Sequence, residues 1–549
     1  MKDNIIINIK GEGSLVLKEK TTLEDLVKEL KKENSVIAAK VNGELVELST
    51  VLKEDSEVEL VDLQNIDGAR IYRSGLKFLY ITAVKELFGL RTNVELKHSL
   101  DKGIYTRINI NVNESIVDKI KEKMTELVNK NLKIEKVSTN KKDAIKYFDS
   151  VNENEKSAIY KQVTDEVVTL YSLLDYYNYF YTNMPSRTGI LKYFDLTLTK
   201  DGGVMLEYPR KEDMIIPPYT HIGAVLKVFD EYEKWSKLLE VNYVSEVNKI
   251  VIDGKIKEFI ELNEIKQNSD LNSIANEIEK NLDNIKVVLI AGPSSSGKTT
   301  TSKKLSLYLK GKGINSFVLS TDDFFLERKN TPKNEKGEYL FDIPEAIDIE
   351  LFNQKLNDLL EKKETLLPTY NFLTGEKEYK GKPVKLKEKD LIIIEGIHTL
   401  NDLLTSSIDR KNKYKIYISP FTPLGLDRHN HVSTLDLRLI RRLVRDYRTR
   451  GYSASETLKN WTVVNQSEEK YIFPYQKEAD TVLNTALIYE LGVLKTYAVP
   501  ILYSVDYKNE YYMEAQRIIN FLRYFLDIPE SALPNTALLR EFVGGGYFE

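Results

Sequence analysis

Residues 287 to 305, VVLIAGPSSSGKTTTSKKL, combine small, hydroxyl and basic side chains in a spacing that suits phosphate binding. Gly292, Gly297, Lys298 and Thr299 fill the pattern GxxxxGK[ST], between a strand-like and a helix-like stretch. The glycines let backbone N–H groups face a phosphate, and the helix start adds a positive dipole end. Lys298 is expected to neutralise the β- and γ-phosphates, and Thr299 to offer its hydroxyl to magnesium. The predicted nucleotide cradle comprises Gly292, Ser294, Ser295, Ser296, Gly297, Lys298, Thr299 and Thr300.

Two further stretches place carboxylates at the ends of predicted strands. The run SFVLS is followed by Asp322 and Asp323, and the apolar run LIIIE ends in Glu395. A carboxylate near the terminal phosphate can take a proton from an incoming hydroxyl, so Asp322 is the candidate base and Asp323 the alternate. Glu395 is the candidate for holding the magnesium shell together with Thr299. These residues predict phosphoryl transfer that uses ATP and Mg²⁺.

An arginine-rich segment, DLRLIRRLVRDYRTRGYS, follows further along the chain. Arg438, Arg442 and Arg445 stand at i, i+4 and i+7, which places them on one face of a helix. Guanidinium groups there could close over ATP as a lid and stabilise charge on the transferring phosphoryl group. A charge run alone is more typical of a solvated face, but its order behind the other elements favours the lid.

Five motifs in this order, DDFF, FDIPEAID, PTYNF, LIIIEG and LIRRLVRDYRTRGYS, resemble the uridine kinase and phosphoribulokinase family of P-loop kinases. The resemblance covers about residues 285 to 500. It implies that Asp342 holds ribose hydroxyls and that aromatic rings line a base pocket. The implied acceptor-binding residues are Asp342, Tyr370, Phe372 and Asn460. The implied catalytic residues are Asp322, Lys298, Arg442 and Arg445, with Arg450 as a further lid arginine at the nucleotide.

Three positions depart from the family pattern. Phe325 replaces a tyrosine of the nucleoside site, Gly375 replaces a histidine that recognises the base, and Tyr452 replaces an arginine. The acceptor therefore stays open between the 5′-hydroxyl of a pyrimidine nucleoside and a sugar phosphate or other polyol. A third hypothesis is an RNA-associated protein in which ATP binding switches conformation without small-molecule turnover.

The chain is long enough, at 549 residues, for several domains, and its patterns predict an α/β protein. Residues 1 to 63 alternate short strands with one helix that has a Thr-x-x-Glu capping signal, which predicts a ubiquitin-like β-grasp domain. This region resembles the TGS domain of threonyl-tRNA synthetases and some GTPases. The remaining predicted units are 66–240, the helical connector 245–282 and the P-loop kinase domain 283–549.

Residues 66 to 240 resemble the second additional domain of threonyl-tRNA synthetases, which hydrolyses mischarged tRNA with a bound metal. Arg73 and Lys77 stand at the positions of the metal-binding HxxxH helix, and the chain contains no cysteine. Because two cations cannot ligate a metal as imidazoles do, we expect an α+β binding or scaffolding domain without editing activity. RNA contact through the N-terminal half is the partner hypothesis that follows.

Composition sets outer bounds on the function. The 79 Lys and Arg nearly cancel the 83 Asp and Glu, so the net charge of −4 gives no whole-chain case for nucleic acid or membrane binding. The absence of cysteine excludes disulfides, thiolate catalysis and Cys-ligated zinc, and only five histidines leave little for other metal sites. No stretch reaches about 18 apolar residues, so a soluble cytoplasmic protein is expected. Oligomeric state and nucleotide preference stay open.

Overall fold

The computed structural model describes residues 4–100, 103–209, 215–216, 223–335, 337 and 339–548, without the side chains of residues 98–100 and 223–224. The chain has an α/β fold with five sheets in the described part. Within that part, no helix has the length and apolarity needed to cross a bilayer.

The first unit is a mixed five-stranded sheet with one helix across it, in the order β2-β1-β5-β3-β4. Its elements are β1 (Asn4–Ile9), β2 (Gly13–Lys18), α1 (Leu23–Glu29), β3 (Val36–Val41), β4 (Glu44–Glu47) and β5 (Ser56–Asp62). Strands β1 and β5 run parallel at the centre, as in a β-grasp fold. The capping box at α1 uses Thr22 and Asp25, one residue later than the predicted Thr-x-x-Glu signal. Asn42 and Gly43 both have positive φ, which allows the tight turn between β3 and β4.

The second unit contains two antiparallel sheets, ordered β11-β12-β7-β6 and β10-β9-β8. Its elements are α2 (Ile66–Phe88), β6 (Val94–Leu100), β7 (Gly103–Ile108), α3 (Glu114–Asn129), β8 (Glu135–Asn140), α4 (Lys141–Ser150), α5 (Asn154–Gln162), β9 (Val167–Leu173), β10 (Tyr176–Asn178), β11 (Asp195–Leu198), β12 (Val204–Glu207) and α6 (Gly223–Leu238). Helix α2 buries Leu76, Leu79 and Val84, which recur at roughly helical spacing, whereas Leu87 is exposed.

The predicted connector, residues 245 to 282, contains all of α8 (Ile256–Lys280) and all but the first residue of α7 (Val244–Ile252). Helix α8 does more than join two units, because Leu271, Ile274 and Ile278 are buried in one cluster with residues of the C-terminal sheet. Connector and C-terminal region therefore share a core.

The C-terminal region is built on a fully parallel five-stranded sheet, ordered β14-β17-β13-β18-β19. Its strands are β13 (Val287–Ala291), β14 (Ser316–Ser320), β17 (Leu391–Gly396), β18 (Lys413–Ser419) and β19 (Thr481–Asn484), with a separate hairpin of β15 (Thr369–Asn371) and β16 (Glu376–Glu378). Its helices are α9 (Lys298–Gly311), α10 (Ile349–Leu360), α11 (Thr434–Arg450), α12 (Ala454–Tyr471), α13 (Glu490–Tyr503), α14 (Tyr512–Leu522) and α15 (Arg540–Val543). Parallel strands expose their carboxyl ends at one edge, where ligands bind in such folds.

The segment between β18 and α11 docks the C-terminal region onto the second unit. The Arg428 carbonyl accepts a hydrogen bond from Leu96 N at 2.9 Å, and the Arg428 guanidinium pairs with Glu155 at 3.2 Å. His429 is buried, with its Nδ1 2.6 Å from the Lys156 ammonium. A second contact joins Arg70 of α2 to Glu514 of α14. The two units are thus tied by buried charges as well as by apolar packing.

Candidate active site

The glycine-rich turn connects β13 to α9 and has the backbone shape that its sequence requires. Gly297 has a φ of +89°, and a Cβ at Gly292 would lie 2.3 Å from the carbonyl oxygen of Ile418. The hydroxyls of Ser295 and Ser296 are buried and have no hydrogen-bond partner among the described residues. Unpartnered buried donors beside a helix N-terminus fit a phosphate ligand.

The carbonyl groups of this turn point away from the cradle and are bound by buried side chains. Arg438 donates to the Ser294 carbonyl at 2.8 Å and Arg441 to the Ser295 carbonyl at 3.3 Å. Thr485 donates to the Ser296 carbonyl at 2.6 Å. Three carbonyls of the turn are therefore held by side chains that surround it, while the N–H of Ser294 donates to the Glu468 carboxylate at 2.8 Å.

Thr299 and Glu395, the two predicted magnesium ligands, lie together. The Thr299 hydroxyl is 3.3 Å from Glu395 Oε1, which also accepts from Ser320 at 2.9 Å. Burial, followed by the charge of Asp322, raises the pKa of Glu395 to about 7, although Lys298 opposes the rise. A hard cation with oxygen ligands fits a buried carboxylate beside a hydroxyl, and it would hold Glu395 in its charged form.

Asp322 and Asp323 follow β14 in a short 3-10 helix, Thr321–Phe324. The backbone N–H of Asp322 donates to Ser320 Oγ at 3.3 Å, and Ser320 in turn donates to Glu395, so Asp322 lies one residue link away from the predicted magnesium ligand. Asp323 instead accepts from the backbone N–H of Tyr370 at 3.3 Å, and burial raises its pKa. Because Asp323 is engaged with Tyr370, Asp322 stays the predicted base.

Lys298 is the remaining charge of the cradle. Its ammonium lies 3.0 Å from the Gly292 carbonyl and 3.2 Å from the Pro293 carbonyl. Burial lowers its pKa, while Glu395 and Asp322 act to raise it. A lysine with two carboxylates nearby stays suited to neutralising phosphate charge.

Three of the predicted lid arginines surround a single fully buried carboxylate, Asp446. Arg442 Nε and Arg445 Nη2 lie 3.1 and 2.8 Å from its oxygens, and Arg450 lies 3.5 Å away. Although burial acts to raise it, these three charges lower the pKa of Asp446. Three cations around one anion leave a net positive site, and Arg442 also donates to Ser294 Oγ at 2.9 Å. Arg438, predicted on the same face, is instead buried against Glu468 and belongs to the support of the cradle.

Aromatic side chains form a cluster beside this arginine group. The rings of Phe325, Tyr370 and Phe372 contact one another edge to face, with Tyr370 and Phe372 centroids 5.1 Å apart. Tyr370 is buried and its hydroxyl has no partner within the described part of the chain, while Phe372 is 44% exposed. The guanidinium of Arg450 lies 5.4 Å from the Phe372 ring centroid. The predicted base pocket and the predicted lid are therefore adjacent.

The turn after β15 explains one departure from the family pattern. Gly375 has a φ of +76°, and a Cβ there would lie 2.6 Å from Arg328. Arg328 in turn donates to the Phe372 carbonyl at 2.6 Å. A histidine at position 375 has no room in this arrangement, because the arginine fills the space.

Two predicted acceptor residues have different surroundings. Asp342 has its pKa raised by burial and is electrostatically coupled to Arg442, Asp322 and Arg450, so it lies with the site. Asn460 is on the exposed face of α12, and no contact within the described residues joins it to the aromatic cluster. Asp348, near Asp342 in the sequence, caps α10 by accepting a hydrogen bond from Leu351 N.

Two family models match the chain. The Phosphoribulokinase / Uridine kinase family model matches residues 287–488, and the ThiS family model matches residues 5–63. A uridine kinase of Staphylococcus aureus (strain JH9) is 31% identical over 199 residues, which are 36% of this chain and 86% of that protein. The uridine kinase of strain Newman matches equally. The chain belongs to the phosphoribulokinase and uridine kinase family.

Membership makes the protein a P-loop kinase, a phosphotransferase that acts on an alcohol group. Such kinases imply ATP as the donor and a small-molecule acceptor. The ThiS match agrees with the β-grasp fold of the first unit. The synthetase-like origin of residues 66 to 240 stays a prediction.

Solved structures of two kinases align with part of the chain. A possible uridine kinase from Bacillus stearothermophilus is 21% identical, with a TM-score of 0.26 over 38% of this chain and 100% of that chain. A D-glycerate 3-kinase from Cryptococcus neoformans is 16% identical, with a TM-score of 0.23 over 46% of this chain and 87% of that chain.

Sequence reasoning missed several residues of the kinase site. Asp446 could have been found from helical spacing, because it stands four residues after Arg442 and four before Arg450. Glu468 accepts from Ser294 N at 2.8 Å, and Glu490 binds the buried Arg441 at 2.6 Å. These partners lie on α12 and α13, and no local sequence pattern predicts such long-range pairs.

Proposed function

We propose that this kinase transfers the γ-phosphoryl group of ATP to the 5′-hydroxyl of a pyrimidine nucleoside. The observation that carries the proposal is the convergence of Asp322, Lys298 and Glu395 at one sheet edge, beside an aromatic cluster that Arg450 touches. A flat apolar surface suits a nucleobase, and a neighbouring carboxylate suits a hydroxyl.

Asp322 acts as the general base. Its carboxylate takes the proton of the acceptor hydroxyl while the hydroxyl oxygen forms a bond to the γ-phosphorus. The bond from that phosphorus to the bridging oxygen breaks, and ADP leaves with that electron pair. Most of the rate comes from holding donor and acceptor in line and from fixed positive charge.

Lys298, Arg442 and Arg445 stabilise charge on the transferring group, since all three belong to the positive side of the site. Thr299 and Glu395, whose side-chain oxygens lie 3.3 Å apart, would hold Mg²⁺. When bound, Mg²⁺ supplies further positive charge to the phosphate oxygens. Asp342 binds acceptor hydroxyls, and Tyr370 with Phe372 contact the base.

The direct test measures Mg·ATP turnover on a panel of nucleosides, sugar phosphates and polyols by mass spectrometry. Asp322→Asn is expected to reduce kcat at least about 100-fold, in the range that general base catalysis contributes. Asp323→Asn is the matched control, because its carboxylate binds Tyr370 N and should leave the proton transfer intact. Full activity in Asp322→Asn would remove the base assignment.

A sugar phosphate or other polyol is the second candidate acceptor. Gly375 and Arg328 favour it, because they replace a base-recognising histidine with a cation at the rim of the aromatic cluster. Tyr370→Ala distinguishes the two. A nucleoside kinase should show a raised KM for nucleosides only, whereas equal loss on every acceptor would argue against a base pocket.

A further inference from the structure

The C-terminal end of the chain reaches the nucleotide cradle, beyond the stretch that the family model matches. Glu541 Oε2 accepts a hydrogen bond from the backbone N–H of Thr300 at 2.9 Å. Leu538 lies over the cradle, within 3.0 Å of where a Cβ of Gly297 would stand. A side-chain carboxylate from a distant part of the chain thus binds the first turn of α9.

The backbone on both sides of Glu541 is held in place. Leu539 and Phe542, which flank Glu541 closely in sequence, are fully buried in the C-terminal core. Arg448, on the last turns of α11, donates at 3.2 Å to the carbonyls of both Glu541 and Phe542. The backbone around Glu541 is therefore anchored, while the side chain is held at its carboxylate by the contact with Thr300.

The N–H group that Glu541 occupies is one that phosphate needs. The first N–H groups of a helix have no partner within the helix, and in a glycine-rich cradle they bind the α- and β-phosphates. The negative charge of Glu541 also acts on Lys298 and on Glu395, which are the groups predicted to meet the phosphates and magnesium. One N–H cannot donate fully to two anions, and two anions at one site repel each other.

We infer that Glu541 is a further residue of the nucleotide site, whose carboxylate competes with the phosphates of ATP for the N–H of Thr300. Binding of ATP turns the Glu541 side chain aside while the anchored backbone stays in place. The residue thereby weakens nucleotide binding and helps to keep it reversible. This inference rests on the proposed use of ATP and is independent of which acceptor is phosphorylated.

The test is a calorimetric titration of the full-length protein with Mg·ATP and with Mg·ADP, in the absence of any acceptor. Glu541→Gln keeps the size of the side chain and removes its charge. Loss of one charged contact at a helix N-terminus is expected to tighten binding of both nucleotides about three- to tenfold. Glu541→Ala should tighten binding in the same direction, and thermal unfolding checks that both variants are folded.

Glu510→Gln is the matched control, because Glu510 is exposed and carries the same charge within the C-terminal region. It should leave both affinities unchanged. If wild type binds ATP and both folded Glu541 variants bind nucleotide equally well or more weakly, the inference is wrong. The proposed function is not affected by that result. If neither wild type nor variant binds ATP, both proposals are wrong.

Discussion

Replacement of Asp446 by Asn tests whether one buried carboxylate positions the lid arginines. Asp446 has 0% exposed surface and binds Arg442, Arg445 and Arg450 through side chains on its own helix. In Asp446→Asn the amide oxygen can still accept a hydrogen bond, but the charge that offsets three guanidinium groups is gone. The arginines are then expected to spread apart and lose their common orientation toward the phosphates.

The magnitude follows from the contacts. Breaking a buried ion pair costs about 3–5 kcal/mol, and a hydrogen bond to a charged group contributes about 1.5–3 kcal/mol. The Arg450 side chain is 30% exposed, and the amide introduced at position 446 would still accept a hydrogen bond. We therefore expect the free energy of unfolding to fall by about 3 kcal/mol, the lower end of the range for a buried ion pair. Misplaced catalytic groups should lower kcat about 100-fold with little change in acceptor KM.

The assay combines steady-state kinetics with chemical unfolding. The matched control is Asp436→Asn in the first turn of the same helix, where the carboxylate pairs with Arg517 at 2.6 Å. It should lose stability comparably and keep kcat within a few-fold. If Asp446→Asn is folded and retains wild-type kcat, or if both variants lose kcat equally, the positioning argument is refuted.

Three more predictions follow from single positions. Gly292→Ala should abolish ATP binding, because the added methyl would lie 2.3 Å from a backbone carbonyl, whereas Gly311→Ala in open space should not, as calorimetry can show. Phe372→Ala should raise nucleoside KM about tenfold through lost stacking, while Leu373→Ala, whose side chain is 81% exposed, should leave KM unchanged. Burial raises the pKa of Glu155 from 4.5 to about 6, so its stabilising effect is present below pH 4.5 and is lost as pH rises through 6. Relative to Glu155→Gln, wild type should therefore lose about 2 kcal/mol of stability as the pH rises from 4.5 to 7, on top of a pH-independent cost of the lost Arg428 pair in the variant. Urea unfolding measures the difference, and a difference that is constant with pH would contradict this.

The elements of the site were predictable because they are local patterns. The strand, turn and helix around Lys298 follow from glycine spacing and apolar periodicity, and the strand ends at Asp322 and Glu395 follow from apolar runs. A parallel sheet then brings those ends to one edge. The short strands and turn residues of the first unit likewise predicted a β-grasp fold, which the ThiS match confirms.

The parts that sequence reasoning did not reach depend on distant partners. Arg438 fits a lid face by spacing, yet it is buried because Glu468, thirty residues later, offers it a partner. Glu541 lies more than two hundred residues from Thr300, and only the folded chain brings them together. Periodicity along one helix indicates which side chains share a face, but the neighbour of that face is set by tertiary packing.

Helix α11 carries both the arginines that support the glycine-rich turn and the predicted lid arginines. Its middle holds the glycine-rich turn through Arg438 and Arg441, and its first turn is fastened to α14 by Asp436. Movement of the whole helix would break the hydrogen bonds from Arg438 and Arg441 to the glycine-rich turn. We therefore expect α11 to stay in place when a nucleotide binds, and only the arginine side chains near its C-terminal end to rearrange.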